Sequence, residues 1–226
     1  MLASTTVGTL EFRSIIETVR VGGHRFRDEE HFHLASVESI APEAKTIQCR
    51  SALEDRTYSI PYDTLVIASG ARPNSFGVKG VEEHAFFLKE IWQARAIRTK
   101  ILENFELASQ PGKSETEKKQ LLHFVVVGGG PTGVEFCAEL YDFVQEDLCR
   151  IFPKATEHLR VSLIESREIL GMFDKSLRDL AQSKIQARPK MQLVKQNCQE
   201  ILPDAVILGD GTELPCGLVV WSAGND

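Results

Sequence analysis

Phe124-Val125-Val126-Val127-Gly128-Gly129-Gly130-Pro131-Thr132-Gly133-Val134-Glu135 sets an apolar β run, extended upstream by Leu121-Leu122-His123, against a Gly-x-Gly-x-x-Gly turn. A helical pattern follows the turn, which is the order a dinucleotide pyrophosphate requires. Gly128 lets the chain leave the strand tightly, Gly130 removes the Cβ that would hold phosphates away, and Gly133 lets helix and strand pack closely. Gly129 and Thr132 complete the candidate cradle. Pro131 suits a first helical turn, where no N–H is needed and φ is already helical. The helix N-terminus supplies free N–H groups and a positive dipole end. Two other readings of the turn stay open: a Gly-rich turn in another α/β domain, and a methyltransferase loop for an adenosyl cofactor.

Glu165 ends the strand-like run Arg160-Val161-Ser162-Leu163-Ile164. A carboxylate there accepts both hydroxyls of an adenosine ribose and repels a 2′-phosphate, which favours NAD(H) over NADP(H). Arg167 stands two residues on and could meet such a phosphate. Glu165 follows Gly133 by 32 positions, against a usual separation of about 20. An insertion after the first helix, Gln145 to His158, accounts for the excess. Glu135, two residues beyond Gly133, has two readings: a carboxylate stabilising a helix N-terminus, or a group close to the path of phosphates and nicotinamide.

The chain of 226 residues is 42% hydrophobic, enough for a real core and for one or two domains. Its net charge of −6 is made of interspersed charges without a basic stripe, which excludes nucleic acid as an expected partner. No His-Glu-x-x-His pair occurs, and His31 and His33 read as exposed residues on one strand face. Cys49, Cys137, Cys149, Cys198 and Cys216 include no C-x-x-C spacing. That argues against zinc and a redox dithiol, and for buried thiols in a reducing compartment. No metal ligand is assigned. The apolar runs fall short of the roughly 20 residues a membrane-spanning helix needs. Met1 to Arg20 carries Arg13 and Arg20, but Glu11 and Glu17 interrupt it and no apolar segment follows, so it reads as part of the fold.

His31–Ile40, Lys45–Arg50 and Arg56–Ile60 alternate as strands of a small antiparallel meander. Thr64 to Gly70 is a continuous apolar run, expected as a strand covered on both faces. Ile91, Ala94, Ile97, Ile101 and Phe105 recur at helical spacing, predicting a long helix from Ala85 to about Ala108 whose stripe is core. Residues 109–120, almost devoid of apolar side chains, read as a mobile surface linker and domain boundary. Beyond them come strand 121–128, then a helix from 131 to about 152 with Val134, Ala138, Tyr141, Val144 and Leu148 on its apolar face. Strand 160–165, helix 174–187, strand 191–196, a strand pair around Gly209-Asp210-Gly211 and a last strand from Gly217 to Ser222 complete the chain. The β-α-β-α-β order is that of a Rossmann-type α/β domain.

The glycine turn, Val161-Ser162-Leu163-Ile164-Glu165 followed by Ile169-Leu170-Gly171-Met172-Phe173-Asp174, and Val219-Val220-Trp221-Ser222-Ala223-Gly224-Asn225 together resemble the type II NADH:quinone oxidoreductases. These are the rotenone-insensitive alternative NADH dehydrogenases of mitochondria. Val7 to Ile16 and Ala68 to Gly77 resemble the same family at their expected places, so the likeness covers essentially the whole chain. It implies a fold of two Rossmann-like dinucleotide-binding domains, with FAD in one and NADH in the other. Residues 1–108 would be a partial FAD domain with the meander, and 121–226 the NADH domain. Ala68-Ser69-Gly70 and Ser222-Ala223-Gly224 match the family's two Ala-Thr-Gly positions, with Ser for Thr. The first trio is thereby assigned to FAD, and Ala223 and Gly224 to NADH.

By resemblance the activity is transfer of a hydride from NADH to FAD and of two electrons on to a quinone, without proton pumping. The chemistry belongs to the cofactor, so no catalytic side chain is assigned. The location implied is the mitochondrial inner membrane, held peripherally through a segment that follows Asp226 in the family; a homodimer is also compatible. The chain lacks the family's first Gly-x-Gly-x-x-Gly upstream of Val7 and the segments after Asp226. The expectation is therefore of an internal fragment with a weakened hold on FAD. Alternatives from other classes are a non-catalytic NAD(H)-binding module and another flavoprotein reductase of the same two-dinucleotide fold.

Overall fold

A computed structural model describes residues 1–19 and 32–224. Packing divides the chain into a unit of Ile15–Gly70 and a unit that joins Met1–Ser14 to Ala71–Asp226. This division follows contacts, whereas the 1–108 and 121–226 assignment follows cofactors. In the smaller unit β1 (Ala35–Ala41), β2 (Thr46–Ser51) and β3 (Thr57–Pro61) form the expected antiparallel meander in the order β1-β2-β3. Ile47 pairs with Ile40 on one side and Ile60 on the other, so apolar side chains line up across the strands. His31, where the alternation places the start of β1, lies outside the described residues. Thr64 to Gly70 is not a strand: Val66 and Ile67 are 80% and 71% exposed. Apolar β-formers become a strand only where a neighbour takes up their backbone hydrogen bonds, and this unit's described strands pair only among themselves.

In the larger unit the strands are β4 (Phe86–Phe87), β5 (His123–Val127), β6 (Arg160–Ile164), β7 (Met191–Val194), β8 (Cys198–Ile201), β9 (Ala205–Leu208), β10 (Glu213–Pro215) and β11 (Leu218–Trp221). Five form a parallel sheet in the order β4-β11-β5-β6-β7, and three an antiparallel sheet in the order β10-β9-β8. The helices are α1 (Leu2–Val7), α2 (Val81–His84), α3 (Ile91–Ala108), α4 (Glu115–Leu121), α5 (Pro131–Phe143) and α6 (Lys175–Gln186). β5 is buried along its whole length because both of its faces are covered. Phe124 and Val126 pack with Ile97, Ile101 and Phe105 of α3 and with Phe136 and Leu140 of α5. Val125 and Val127 point the other way, to Ile201, Val206 and Leu208 of the antiparallel sheet.

Three helical expectations change. α3 begins at Ile91, not Ala85, because Glu90 and Gln93 close a capping box there and Phe86–Phe87 pairs with β11. Residues 115–121, of which 115–120 are expected in a mobile linker and Leu121 in the next strand, form α4: Ser114 Oγ accepts from the Glu117 N–H at 3.2 Å, and Glu117 accepts from the Ser114 N–H at 2.9 Å. Local capping outweighs the lack of apolar residues. The face α5 buries is Gly133, Phe136, Cys137 and Leu140. Of the expected stripe, Val144 and Leu148 are buried just beyond α5, while Val134, Ala138 and Tyr141 are only half-buried, so within α5 itself the buried face is offset from the predicted one. The supposed insertion prolongs α5 as a π-helical turn at Val144–Leu148, a helical turn at Cys149–Ile151 and a 3-10 turn at Ala155–His158. Cys49, Cys137 and Cys216 are buried as expected, while Cys149 and Cys198 are half-buried, and all five are free thiols.

A directed hydrogen-bond chain ties the strands together at the start of the sheet. The Pro215 carbonyl can only accept, so His123 Nδ1 donates to it at 2.7 Å and Nε2 accepts from Ser162 Oγ at 2.7 Å. Gln192 donates to Ser162 Oγ at 2.8 Å, and Arg160 donates to Gln192 at 2.6 Å. Every member has a partner, as buried polar groups require. Burial pushes the His123 imidazole down to about 4, which keeps the ring neutral and its acceptor nitrogen available. Among the described residues no helix is long and apolar enough to cross a membrane.

Candidate functional site

A cleft of ≈ 1130 Å³ opens at the opposite end of the parallel sheet, beyond the carboxyl ends of β4, β11, β5 and β6. Open α/β sheets bind ligands there. The cleft lining includes Gly128, Gly129, Gly130, Pro131, Thr132, Glu135, Glu165, Ala223 and Gly224. Gly133 lies beneath them in the first turn of α5. All the residues assigned to NADH from the sequence are thus gathered in and directly under one cleft. Ala68, Ser69 and Gly70, assigned to FAD, belong to the smaller unit and are exposed there, with Gly70 at φ 74.

The three motif glycines are needed for three different reasons. At Gly128, φ is 112 and an added Cβ would stand 2.5 Å from the Ser222 carbonyl oxygen, so the end of β11 leaves no room for a side chain. At Gly133 a Cβ would overlap the Gly128 carbonyl oxygen, which sets how closely helix and turn approach. At Gly130 a Cβ would meet nothing within 4 Å. The fold itself tolerates a side chain at Gly130; only a group entering the cleft would be displaced by one. Gly130 is the N-cap of α5 with no side-chain cap bond, and Pro131 is the first helical residue. The first-turn N–H groups therefore lack intrahelical acceptors and face the cleft as an anion cradle.

Glu165 follows β6 and its carboxylate is built into the turn. One oxygen accepts from the Gly129 N–H at 2.8 Å and the other from the Arg167 N–H at 2.8 Å. The Gly128 N–H donates to the Ile164 carbonyl at 2.9 Å and the Leu170 N–H to the Gly129 carbonyl at 2.7 Å, so the turn and the loop after β6 form one frame. Glu135 is the fifth residue of α5, beyond the turn where the helix dipole acts most strongly, and its half-exposed carboxylate accepts from the Met1 amino group at 3.3 Å. Phe76, Lys89 and Asn197 also line the cleft, outside every motif of the sequence assigned to a site. They come from loops far apart in the chain, and no local spacing marks them. The described residues contain no His/Cys/Asp/Glu group able to hold a metal ion.

The pyridine nucleotide-disulphide oxidoreductase family matches residues 1–226. The internal alternative NAD(P)H-ubiquinone oxidoreductase A1 of Solanum tuberosum mitochondria is 45% identical over 232 residues, covering 99% of this chain and 47% of that protein. A probable NADH dehydrogenase of Dictyostelium discoideum is 46% identical over 232 residues, covering 99% of this chain and 50% of its own length. Among solved structures, NDH2 from Plasmodium falciparum in complex with NADH superposes with a TM-score of 0.88 at 27% identity, over 99% of this chain and 47% of that one. The chain therefore spans about half the length of the relatives it matches.

Proposed function

Because the chain belongs to the pyridine nucleotide-disulphide oxidoreductase family, we propose that it is the NADH-binding portion of a flavin-dependent NADH:quinone oxidoreductase. The observation that carries this reading is the cradle at Gly130, where a side chain would fill only the cleft. The relatives named as NAD(P)H-ubiquinone oxidoreductases and the NADH-bound structural neighbour support it. With both cofactors bound, NADH and FAD would supply hydride transfer and the passage of two electrons to a quinone, without proton pumping. The N–H groups at the start of α5 hold the pyrophosphate, with Gly128, Gly129, Gly130, Pro131, Thr132 and Gly133 shaping that hold. Glu165 takes the adenosine ribose hydroxyls and excludes a 2′-phosphate, exchanging part of its bonding to the turn for the ribose. Ala223 and Gly224 let the other half of the dinucleotide lie close to the backbone, and Glu135 borders its path. Ala68, Ser69 and Gly70 contact FAD within residues 1–108, and 121–226 hold NADH. The place of action is the inner mitochondrial membrane, peripherally, and a homodimer is compatible with this reading.

A second reading is an NAD(H)-binding module without flavin turnover: the residues assigned to NADH gather in and under one cleft, whereas Ala68, Ser69 and Gly70 lie exposed in the smaller unit. NADH oxidation by a soluble short-chain quinone, with excess FAD, separates the two. Quinone-dependent turnover supports the oxidoreductase, and saturable NADH binding without turnover supports the module. Absence of NADH binding overturns both.

A further inference from the structure

Phe76 is held in a conformation that a bulky side chain adopts only under constraint. Its φ is 52, in the left-handed region, which aromatic residues rarely enter. The constraint is visible on both sides of the loop. The Phe76 N–H donates to Asn74 Oδ1 at 2.6 Å, and the Asn74 N–H donates to the Gly224 carbonyl at 3.1 Å. The buried Trp221 indole donates to the Asn74 carbonyl at 2.8 Å. The loop is thus fastened to the carboxyl end of β11.

This fastening presents the ring at the cleft instead of burying it. Phe76 is 61% exposed, lines the cleft, and rests against Gly224, where an added Cβ would stand 3.0 Å from its Cζ. A strained backbone that keeps an apolar ring in water works against the hydrophobic effect. A flat ring laid on it would bury that face. Sheet order says which ring that is. Glu165 follows β6, the glycine turn follows β5, and β11 lies on the other side of β5. A dinucleotide with its adenosine at Glu165 and its pyrophosphate at the turn runs on over β11, toward Gly224 and Phe76.

We propose that Phe76 is the stacking face for the nicotinamide ring. This assignment rests on the NADH reading above. The test compares two ligands, NADH and ADP-ribose, which lacks only the nicotinamide. Calorimetric titration of the whole chain is run for the wild type, Phe76→Asn and Phe76→Tyr. Asparagine tolerates the left-handed conformation, so Phe76→Asn removes the ring without adding strain. Its thermal melting checks the fold.

Phe76→Asn is expected to raise the Kd for NADH about tenfold, within the range for loss of one base–aromatic stack. The Kd for ADP-ribose should move by less than about twofold, and Phe76→Tyr should bind NADH like the wild type. Equal weakening of both ligands, or no change in either, overturns the assignment. Failure of the wild type to bind either ligand instead overturns the NADH reading itself.

Discussion

Replacing Gly130 by valine separates binding from folding, because the structure gives each motif glycine a different role. Gly130 has φ −72 and ψ 178, extended backbone open to any residue, and its Cβ direction meets nothing within 4 Å. Restricting the unfolded chain stabilises the protein by about 0.4–1 kcal/mol, and losing glycine for an apolar N-cap costs about 1 kcal/mol. The two nearly cancel. At about 2–4 °C per kcal/mol for a chain of this size, Tm should stay within about 4 °C of the wild type. Binding should behave differently. Displacing the pyrophosphate from two first-turn N–H groups forfeits about 1.5–3 kcal/mol each, together more than about a hundredfold in Kd. Gly133→Ala is the control: its methyl overlaps the Gly128 carbonyl, a backbone group that cannot rotate away. Overpacking of that kind costs about 1–3 kcal/mol, lowering Tm by about 2–12 °C. NADH fluorescence titration and differential scanning fluorimetry read both quantities. Near-normal NADH affinity in Gly130→Val, or a loss of Tm as large as that of Gly133→Ala, would refute the reasoning.

Glu165→Gln should narrow the preference for NADH over NADPH by about 1 kcal/mol, roughly fivefold in the ratio of their Kd values, since it removes a charge that repels a 2′-phosphate at a half-exposed site. Parallel titrations with the two nucleotides check it; an unchanged ratio places the adenosine ribose elsewhere. His123 makes stability depend on acid. Its folded value of about 4 lies below the usual 6.5, so between these pH values the unfolded chain binds the extra proton and stability falls as pH falls. The loss accumulates to about 3 kcal/mol by pH 4. Urea unfolding at pH 7, 5.5 and 4.5 should show a shallower acid slope in His123→Asn, whose amide still donates to Pro215; matching slopes would show that another group controls the transition.

β5 and the turn after it were legible from local chemistry. A run of valines against three glycines and a proline leaves the backbone few alternatives: the expected strand 121–128 appears as His123–Val127, and the helix begins at Pro131 as expected. The meander and Glu165 were legible for the same reason: alternation, turn residues and a carboxylate at a strand end act over a few residues. Thr64 to Gly70 shows the limit of such reading. Its composition favours a strand, but a strand exists only where another segment supplies hydrogen bonds, and partners are not written in a segment's own residues. The face of α5 that is buried was set by what α3 and the sheet offer it. Gly128 must be glycine because Ser222 stands against it, and Phe76 faces the cleft because Asn74 is fastened to Trp221 and Gly224. Neighbours in sequence decide backbone preference, so those features could be read directly. Which atoms meet across many tens of residues is decided by packing of the whole unit, and only the tertiary structure could assign them.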